Sequence, residues 1–578
     1  MLLGYVFTAA IFASLALFLA FLFFERKGLK KLFGERVNSY SIIALVAILA
    51  FFVVFSLLFV SPAEQLYFDE NIYQGIAINM LKNGNGLWCQ FGTGYLETCY
   101  INSLYHDPVG WSAFIAIAFA IFGIGTATAY NLELLSGAMS ILLVFLLASL
   151  LSKKKSYAVI STFAFALMPI LFVWARTQAD VDLPFMMLAE LAFLTFIIFI
   201  KRKTLNSLAL FAFSLVLVSY MRIEAILLVG VFAILLMTFG EKGVKITVKE
   251  RRKMIISTIE NNTKALLLFL VFVFLILPQI YYIAVQAQNP SYGQGSGQSV
   301  ISITNFLNNI KTNVLFVFGQ ISGKSFYPMV FSYTILPLAI LGTAFLIFDG
   351  RIKNRFGIML MLLLWFLAYF MFYTSFYAGA ASFGVDSRFM LQLLPSSVLL
   401  ASFAIVETGD AVQFLFARKF KHASRKNMIY ALVVIALASA LLAYPFIQLA
   451  PVITLTPTQM PQQSDIIKAI NFFYDNYNAV PQNCLVYSFT PDIWAEVNRT
   501  SAQIDYINGG VGNATIRQAI SEYSCQVLDY GYWCLVPPYR GTLCKRLLSS
   551  LELKSLAQAT EPVASGGIGA FYQILNKT

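Results

Sequence analysis

The chain has 578 residues, of which 59% are hydrophobic and only 12% are charged. A soluble globular protein carries roughly 25% charged residues, so this chain lacks the polar groups needed to cover a water-facing surface. The net charge of +12 is compatible with nucleic-acid binding, but most basic residues lie in short loops between apolar segments. We therefore expect no nucleic-acid partner and predict that the chain resides in a lipid bilayer.

Long apolar runs recur through the first 450 residues. A run of about 20 apolar residues spans the hydrocarbon core of a bilayer as a helix. The sequence thus predicts a polytopic α-helical membrane protein with about 12 transmembrane helices. The predicted spans lie near residues 2–24, 40–61, 128–151, 156–174, 183–200, 204–220, 223–240, 264–285, 329–348, 356–374, 389–408 and 428–449.

Lysine and arginine predict the orientation of these helices. Six loops on one side contain 25 of these residues, whereas the five loops on the opposite side contain six. Short loops rich in Lys and Arg stay in the cytoplasm, so the basic set is cytoplasmic. The basic loops are 26–36, 153–155, 201–203, 242–253, 351–355 and 418–426. The opposite loops are therefore extracytoplasmic, and the protein is expected in the cell (plasma) membrane.

One apolar segment, 109–125, does not fit this alternation as a span. If it crossed the bilayer, the basic loop 153–155 would fall outside and every later loop would invert. We interpret it as a juxtamembrane or re-entrant helix within a first outer loop, 62–127. The same alternation divides the chain into a transmembrane module, 1–450, and a small α/β extracytoplasmic C-terminal domain, 451–578.

All six cysteines fall on the extracytoplasmic side of this topology. Cys89 and Cys99 lie in the first outer loop, and the other four lie in the tail. Disulfides persist in oxidising, non-cytosolic compartments. We expect a Cys89–Cys99 bridge and two more bridges within the tail, whose order sequence does not fix. Free thiols are the alternative interpretation.

Two adjacent acids, Asp69 and Glu70, open the first outer loop beside Tyr73 and other aromatic residues. A carboxylate near an apolar interface is costly unless it is paired or binds a cation. It is also able to take a proton from an attacking hydroxyl, which is the work of a general base. The alternative is a helix N-terminus carrying acids that suit its dipole.

The same loop ends with His106 and Asp107, just before the juxtamembrane helix. A histidine beside carboxylates is a potential metal ligand, so Asp69, Glu70 and His106 form a hypothetical site for Mg²⁺, Mn²⁺ or Zn²⁺. The alternative role for His106 is that of an interface residue capping the next helix.

Further charged residues stand at the outer ends of later spans, far apart in sequence but on one membrane face. A lipid phosphate entering a cavity at that face would need Arg and Lys ligands. Snorkelling of single side chains and local ion pairs are the alternative. The set includes Arg176, Asp180, Asp182, Arg222, Glu224, Lys324 and Arg388.

The order of these motifs resembles that of the C-fold (GT-C) glycosyltransferases. The closest branch contains the protein O-mannosyltransferases and lipid A aminoarabinose transferases, with their bacterial and archaeal relatives. Three departures are an N-terminal span before the acidic loop, His-Asp-Pro in place of His-Pro-Pro, and an unmatched tail. The matching elements are Asp69-Glu70-x-x-Tyr73, His106-Asp-Pro108-x-Gly110, Ile121-Phe122-Gly123, Trp174-Ala-Arg176 through Asp180, and Ser387-Arg388-Phe389 through Pro395.

This resemblance implies an enzyme that takes a sugar from a polyprenyl- or dolichyl-phosphate donor. It implies inversion at the anomeric carbon, with Asp69 as general base and Glu70 orienting it or helping a metal. Arg388, Arg222 or Lys324 would stabilise the leaving phosphate. The acceptor would be a protein, a lipid or a glycan.

Two other functions compete with a glycosyltransferase of this kind. A secondary transporter or flippase would also have about a dozen spans and intramembrane acids such as Glu133 and Glu190. We interpret those two acids as buried structural or interhelical polar contacts, and the hydropathy shows no inverted repeat. A lipid-linked oligosaccharide ligase is the third candidate.

Overall fold

The structure is a computed structural model. The structure describes residues 2–60, 68–92, 99–177, 179–238, 263–288, 300–320, 334–348, 352–377, 379–381, 384–417, 432–437, 439, 447, 461–508, 520–531, 534, 539–559 and 569–575. The predicted span 428–449 and the candidate Lys324 lie largely or wholly outside these residues.

Apolar helices dominate the chain up to residue 417. In chain order they are α1 (Leu2–Gly34), α2 (Ser39–Phe59), α3 (Phe68–Asn83), α4 (Gly110–Phe122), α5 (Thr126–Leu151), α6 (Lys155–Ala166), α7 (Pro169–Thr177), α8 (Asp182–Arg202), α9 (Leu205–Ser219), α10 (Ile226–Thr238), α11 (Thr263–Gln288), α12 (Ile303–Val317), α13 (Ile335–Phe348), α14 (Ile352–Ser375) and α15 (Leu394–Ala417). Short 3₁₀ helices, Ile223–Ala225 and Gly384–Leu393, precede α10 and α15.

The protein is a multi-pass helical membrane protein. Among the described residues, seven helices are long and apolar enough to cross a bilayer, or eight if the bent pair α6 and α7 forms one span. The other predicted spans near 204–220, 223–240 and 329–348 coincide with shorter apolar helices. The helices thus agree with the predicted segments in position, while the predicted total of about 12 spans is not confirmed.

Among the early helices long enough to span a bilayer, α5 and α8 are the most buried. They pack on each other, and α8 also packs on α9. The hydroxyl of Ser140 on α5 donates to Glu190 on α8 at 2.7 Å. Glu190 is therefore a buried interhelical contact rather than an acid open to a solute path, because a carboxylate inside a bundle needs a donor.

Helix α4 corresponds to the apolar segment 109–125. Its 13 residues extend about 20 Å at 1.5 Å per residue, which is shorter than the roughly 30 Å hydrocarbon core. Its first amide, at Gly110, donates to the carbonyl of Tyr220 at 2.8 Å, and an added Cβ at Gly110 would overlap that carbonyl. The helix is thus too short to cross by itself and is held at the turn that follows α9.

The C-terminal residues form a small α/β domain. Its helices are α16 (Pro461–Asn476), α17 (Pro491–Glu496) and α18 (Tyr539–Ser550). Its strands are β3 (Cys484–Ser488), β4 (Thr500–Gln503), β5 (Cys525–Tyr530), β6 (Leu553–Gln558) and β7 (Ala570–Ile574). Strand β3 runs parallel to β4 and β5, while β7 is antiparallel to β5 and β6.

The sheet of this domain also contains a hairpin from the loop 62–127. Strands β1 (Trp88–Gly92) and β2 (Cys99–Ser103) pair with each other, and β1 pairs antiparallel with β4. The complete order is β2-β1-β4-β3-β5-β7-β6. The boundary expected at residue 451 therefore separates strands that share one sheet, and the loop hairpin is structurally part of the C-terminal domain.

Three disulfides connect the six cysteines. Cys89 is bonded to Cys99 across the β1–β2 hairpin, as predicted. The two tail bridges are Cys484–Cys525, between the parallel strands β3 and β5, and Cys534–Cys544. Sequence could not fix this order, because it depends on which strands lie side by side.

Candidate active site

The first turn of α3 presents its two acids in different directions. Asp69 and Glu70 are adjacent, and successive helical residues point about 100° apart. Glu70 is fully buried and accepts a hydrogen bond of 2.7 Å from the Tyr130 hydroxyl on α5. Asp69 instead faces a charged cluster that includes His106 and Arg388. Its position in the first turn also suits a carboxylate, because the helix dipole is positive there.

Asp69 has three polar neighbours. The Tyr105 hydroxyl donates a hydrogen bond to Asp69 Oδ1. His106 Nε2 lies 3.9 Å from the same oxygen, and Arg388 Nη2 lies 3.8 Å from Asp69 Oδ2. The backbone carbonyl of Tyr105 is itself held by the Tyr282 hydroxyl, at 2.5 Å. Asp69 is thus a fixed carboxylate beside a cation and a histidine.

A second contact joins α3 to the end of the same loop. The Tyr73 hydroxyl, one helical turn after Asp69, donates to Asp107 Oδ2 at 2.5 Å. Burial, together with the charges of Asp107, Asp180 and Asp69, holds the pKa of Tyr73 well above its usual value. Tyr73 therefore stays a hydrogen-bond donor. His106 Nε2 lies 3.6 Å from Asp107, so the imidazole sits between two carboxylates.

Arg388, from the 3₁₀ helix before α15, bridges this loop to the turn before α8. Its Nη1 is hydrogen-bonded to Asp180, and its Nε lies 3.4 Å from Asp182 Oδ2. The planar guanidinium is suited to such multiple contacts. Because the same side chain also approaches Asp69, Arg388 connects Asp69 to two acids that lie far from it in sequence.

Arg222 forms a second layer behind Arg388. Its Nη1 donates to Asp182 Oδ1 at 3.0 Å, and its Nη2 donates to Glu224 at 3.2 Å. Asp182 is therefore shared between the two arginines. Both guanidinium groups lie over the Phe389 ring, at 5.1 Å for Arg388 and 5.3 Å for Arg222. Buried charges of this kind need such pairing to offset desolvation.

Exposure separates the cluster into an open and a closed part. The side chains of His106, Asp69 and Arg388 are 25%, 20% and 12% exposed, whereas those of Asp180 and Arg222 are 1% and 4% exposed. A molecule that approaches from solvent meets the first three residues. The closed part, Asp180 and Arg222, lies behind these residues and supports them.

Because Asp180 titrates, the stability that it contributes to the fold depends on pH. Burial raises the pKa of Asp180 from 3.8 to about 7, although the Arg388 guanidinium opposes the rise. A carboxyl whose pKa is higher in the folded than in the unfolded protein stabilises the fold at low pH, and that contribution is lost as the pH rises through the folded pKa.

We therefore predict that the thermal midpoint of the wild-type protein falls, relative to that of Asp180→Asn, between about pH 5 and about pH 8. The asparagine has no proton to lose, so it lacks this source of pH dependence. Thermal unfolding of both proteins in detergent measures the difference. Parallel profiles across this range would show that Asp180 is already ionised at pH 5.

Several predicted site residues come together and others do not. Asp69, Tyr73, His106, Asp107, Asp180, Arg222 and Arg388 form one cluster. Glu70 contacts Tyr130 on another face of α3, and Arg176 donates to Asn131 on α5 at 3.4 Å.

The hypothetical metal site is not supported by the arrangement of these side chains. In the part of the chain that the structure describes, no three His, Cys, Asp or Glu side chains are grouped so as to hold a metal ion. The physical reason is that Asp69 and Glu70 point in different directions from α3. Glu70 points to α5, so it does not join Asp69 and His106.

Three further residues take part in the cluster. Tyr105 binds Asp69, and Asp182 and Glu224 bind the arginines. Asp182 and Glu224 carry the signal from which the sequence predicted them, because both are acids beside predicted turns on the same membrane face. Tyr105 carries none, since its contact with Asp69 follows from the fold of a long loop.

Solved structures of membrane enzymes share this architecture. ArnT from Cupriavidus metallidurans in the apo state matches with a TM-score of 0.51 at 11% identity, over 92% of this chain and 97% of that chain. The Archaeoglobus fulgidus oligosaccharyltransferase, tethered with an acceptor peptide containing the NVT sequon, matches with a TM-score of 0.50 at 12% identity, over 92% of this chain and 74% of that chain. No family model and no curated protein matches the sequence.

Both neighbours are GT-C glycosyltransferases. The chain has the GT-C fold. The resemblance predicted from sequence is thereby confirmed at the level of fold. In this GT-C chain the residues of the charged cluster lie in the loop after α2, the turns before α8 and α10, and the segment before α15.

Proposed function

We propose that this GT-C protein is a membrane glycosyltransferase. It transfers a sugar from a polyprenyl- or dolichyl-phosphate donor to a protein, lipid or glycan acceptor, on the extracytoplasmic face of the membrane. The observation that carries the proposal is the partly exposed Asp69 carboxylate, fixed by Tyr105 within 3.8 Å of Arg388. A base and a cation side by side suit a displacement at phosphate-linked carbon.

The reaction follows from these two groups. The acceptor hydroxyl oxygen attacks the anomeric carbon while Asp69 takes the hydroxyl proton. The bond between that carbon and the phosphate oxygen breaks, and the lipid phosphate leaves with the bonding electrons. Attack opposite the leaving group inverts the anomeric centre. The phosphate gains charge as it leaves, so the guanidinium of Arg388 stabilises the transition state more than the ground state.

The remaining cluster residues position this pair. We assign Arg222 to the closed layer, where it holds Asp182 against Arg388, rather than to the phosphate itself. His106 and Asp107 border the open side next to Asp69 and would contact the sugar or the acceptor.

The first test is the identity of the bound lipid. Mass spectrometry of lipids extracted from the purified protein is expected to find a polyprenyl or dolichyl phosphate, or its glycosylated form. The same preparation, given a polyprenyl-phosphate sugar and membrane extract, should release the lipid phosphate and label an acceptor. Translocation of the lipid across proteoliposomes without sugar transfer would favour a flippase. Transfer of an oligosaccharide would favour a ligase.

A further inference from the structure

The C-terminal domain contacts α3 closely at Gly75. The Asp492 carboxylate of α17 lies against Gly75 of α3, where an added Cβ would overlap it. The Trp88 indole N–H of β1 donates to Asp492 Oδ2 at 3.3 Å. Asp492 is buried, so it requires such a donor. The C-terminal domain therefore fixes a side chain of the loop that also carries His106.

Trp88 in turn packs against the tyrosine that binds Asp69. The Trp88 and Tyr105 rings meet edge to face, with centroids 5.8 Å apart and planes at 70°. The backbone carbonyl of Tyr105 is held separately by Tyr282 and Gln286. Because the backbone is already fixed, the neighbouring rings determine where the Tyr105 hydroxyl points. That hydroxyl donates to Asp69.

We propose that Asp492 and Trp88 are positioning residues, through which the C-terminal domain orients Tyr105 and hence the base Asp69. The inference rests on the proposed function, since it gives the C-terminal domain a part in the same reaction. It concerns residues 404 positions apart in sequence, which the shared sheet brings together.

The same short helix supplies an internal comparison. Glu496 lies one turn after Asp492 on α17 and accepts a hydrogen bond of 2.7 Å from the Thr126 hydroxyl at the start of α5. This contact also docks the C-terminal domain on the helices, but Thr126 belongs to α5 and not to the loop of Trp88 and Tyr105. Loss of the hydrogen bond between Thr126 and Glu496 therefore weakens docking of the domain. It does not disturb the contacts that lead from Asp492 to Asp69.

The chemistry of Asp492 identifies a conservative replacement. Burial raises the pKa of Asp492 well above its usual value, while the hydrogen bond from Trp88 opposes the rise. A neutral side chain is therefore tolerated at this position. Asparagine has the same shape and keeps an oxygen that accepts from Trp88, whereas leucine has the shape without the acceptor.

The test compares kcat and KM for donor among Asp492→Leu, Asp492→Asn, Trp88→Phe and the docking control Thr126→Val. Asp492→Leu is expected to lower kcat roughly tenfold or more with little change in KM, because misplaced catalytic groups slow the chemical step. Asp492→Asn should restore the rate. Thr126→Val should keep the wild-type kcat. Trp88→Phe should resemble Asp492→Leu, and it leaves the Gly75 contact intact.

A double-mutant cycle with Tyr105→Phe decides whether the path is shared. If Asp492 acts through Tyr105, then Asp492→Leu adds no further loss of kcat to Tyr105→Phe, since residues on one path are not additive. Additive losses, or equal effects of Asp492→Leu and Thr126→Val, would overturn the inference while leaving the glycosyltransferase intact. Absence of transfer by the wild-type protein would instead overturn the proposed function.

Discussion

Replacing Asp69 by asparagine is expected to abolish sugar transfer while leaving the protein folded. Asparagine keeps the shape of the side chain and still accepts the hydrogen bond from Tyr105, but it cannot take the acceptor proton. General-base catalysis contributes roughly 10²–10⁴-fold, so kcat should fall by at least that lower factor. Transfer from a polyprenyl-phosphate sugar, measured with donor and acceptor saturating, gives the value.

The control for this variant is another acid-to-amide change in the same protein. Glu522 is exposed on the C-terminal domain and accepts from Tyr100 at 2.6 Å, so Glu522→Gln keeps its contact and removes one charge. It should transfer sugar at the wild-type rate. Thermal midpoints of both variants close to that of the wild type would exclude misfolding. Full activity of a folded Asp69→Asn protein would refute the assignment of the base.

Replacing Arg388 by lysine is expected to have the second largest effect. Lysine keeps the positive charge, but its single ammonium group cannot contact Asp180, Asp182 and the leaving phosphate together. Loss of one preorganised charge contact in an active site costs roughly 10²–10³ in kcat. Single-turnover measurement of lipid phosphate release isolates this chemical step from product dissociation.

A basic residue away from the cluster provides the comparison for Arg388. Lys82, at the end of α3, donates to Asn498 at 3.2 Å at an exposed position. Lys82→Gln removes one cation from the same helix that carries Asp69 and should leave the rate unchanged. If Arg388→Lys released lipid phosphate as fast as the wild-type protein, phosphate stabilisation would have to come from another cation.

The two layers of the cluster explain why so many acids surround so few arginines. Arg222 is enclosed by Asp182 and Glu224, whereas Arg388 reaches from the closed Asp180 to the open Asp69. Because buried contacts fix the Arg388 guanidinium, the part of this group that faces the open side keeps a defined orientation. Such preorganisation lowers the reorganisation that the reaction itself would otherwise require.

The helical positions and the disulfide of the β1–β2 hairpin were accessible from sequence because they depend on local patterns. An apolar run forms a helix wherever it lies in a bilayer, since its backbone must satisfy its own hydrogen bonds. Likewise, Cys89 and Cys99 are close in sequence, so a short hairpin brings them together. The tail bridge between Cys484 and Cys525 joins two neighbouring strands. The spacing of the cysteines in the sequence does not indicate which strands are neighbours.

The candidate site was predictable in its membership more than in its geometry. The spacing of charged residues at one end of the predicted spans selected Asp69, His106, Asp180 and Arg388, and the structure places them together. The metal hypothesis included Glu70 because adjacent acids look equivalent in a sequence. The turn of α3 sends Glu70 to Tyr130, which no spacing rule indicates.

The sequence by itself determined that this protein belongs in a bilayer, and it predicts that the acidic loop lies on the side opposite the basic loops. Both follow from composition and charge summed along the chain, which need no knowledge of packing. Only the tertiary structure decided that the loop hairpin completes the C-terminal sheet and that Asp492 reaches the tyrosine bound to Asp69 through Trp88. Those contacts join residues hundreds of positions apart, and they exist because close packing of the whole fold brings their surfaces together.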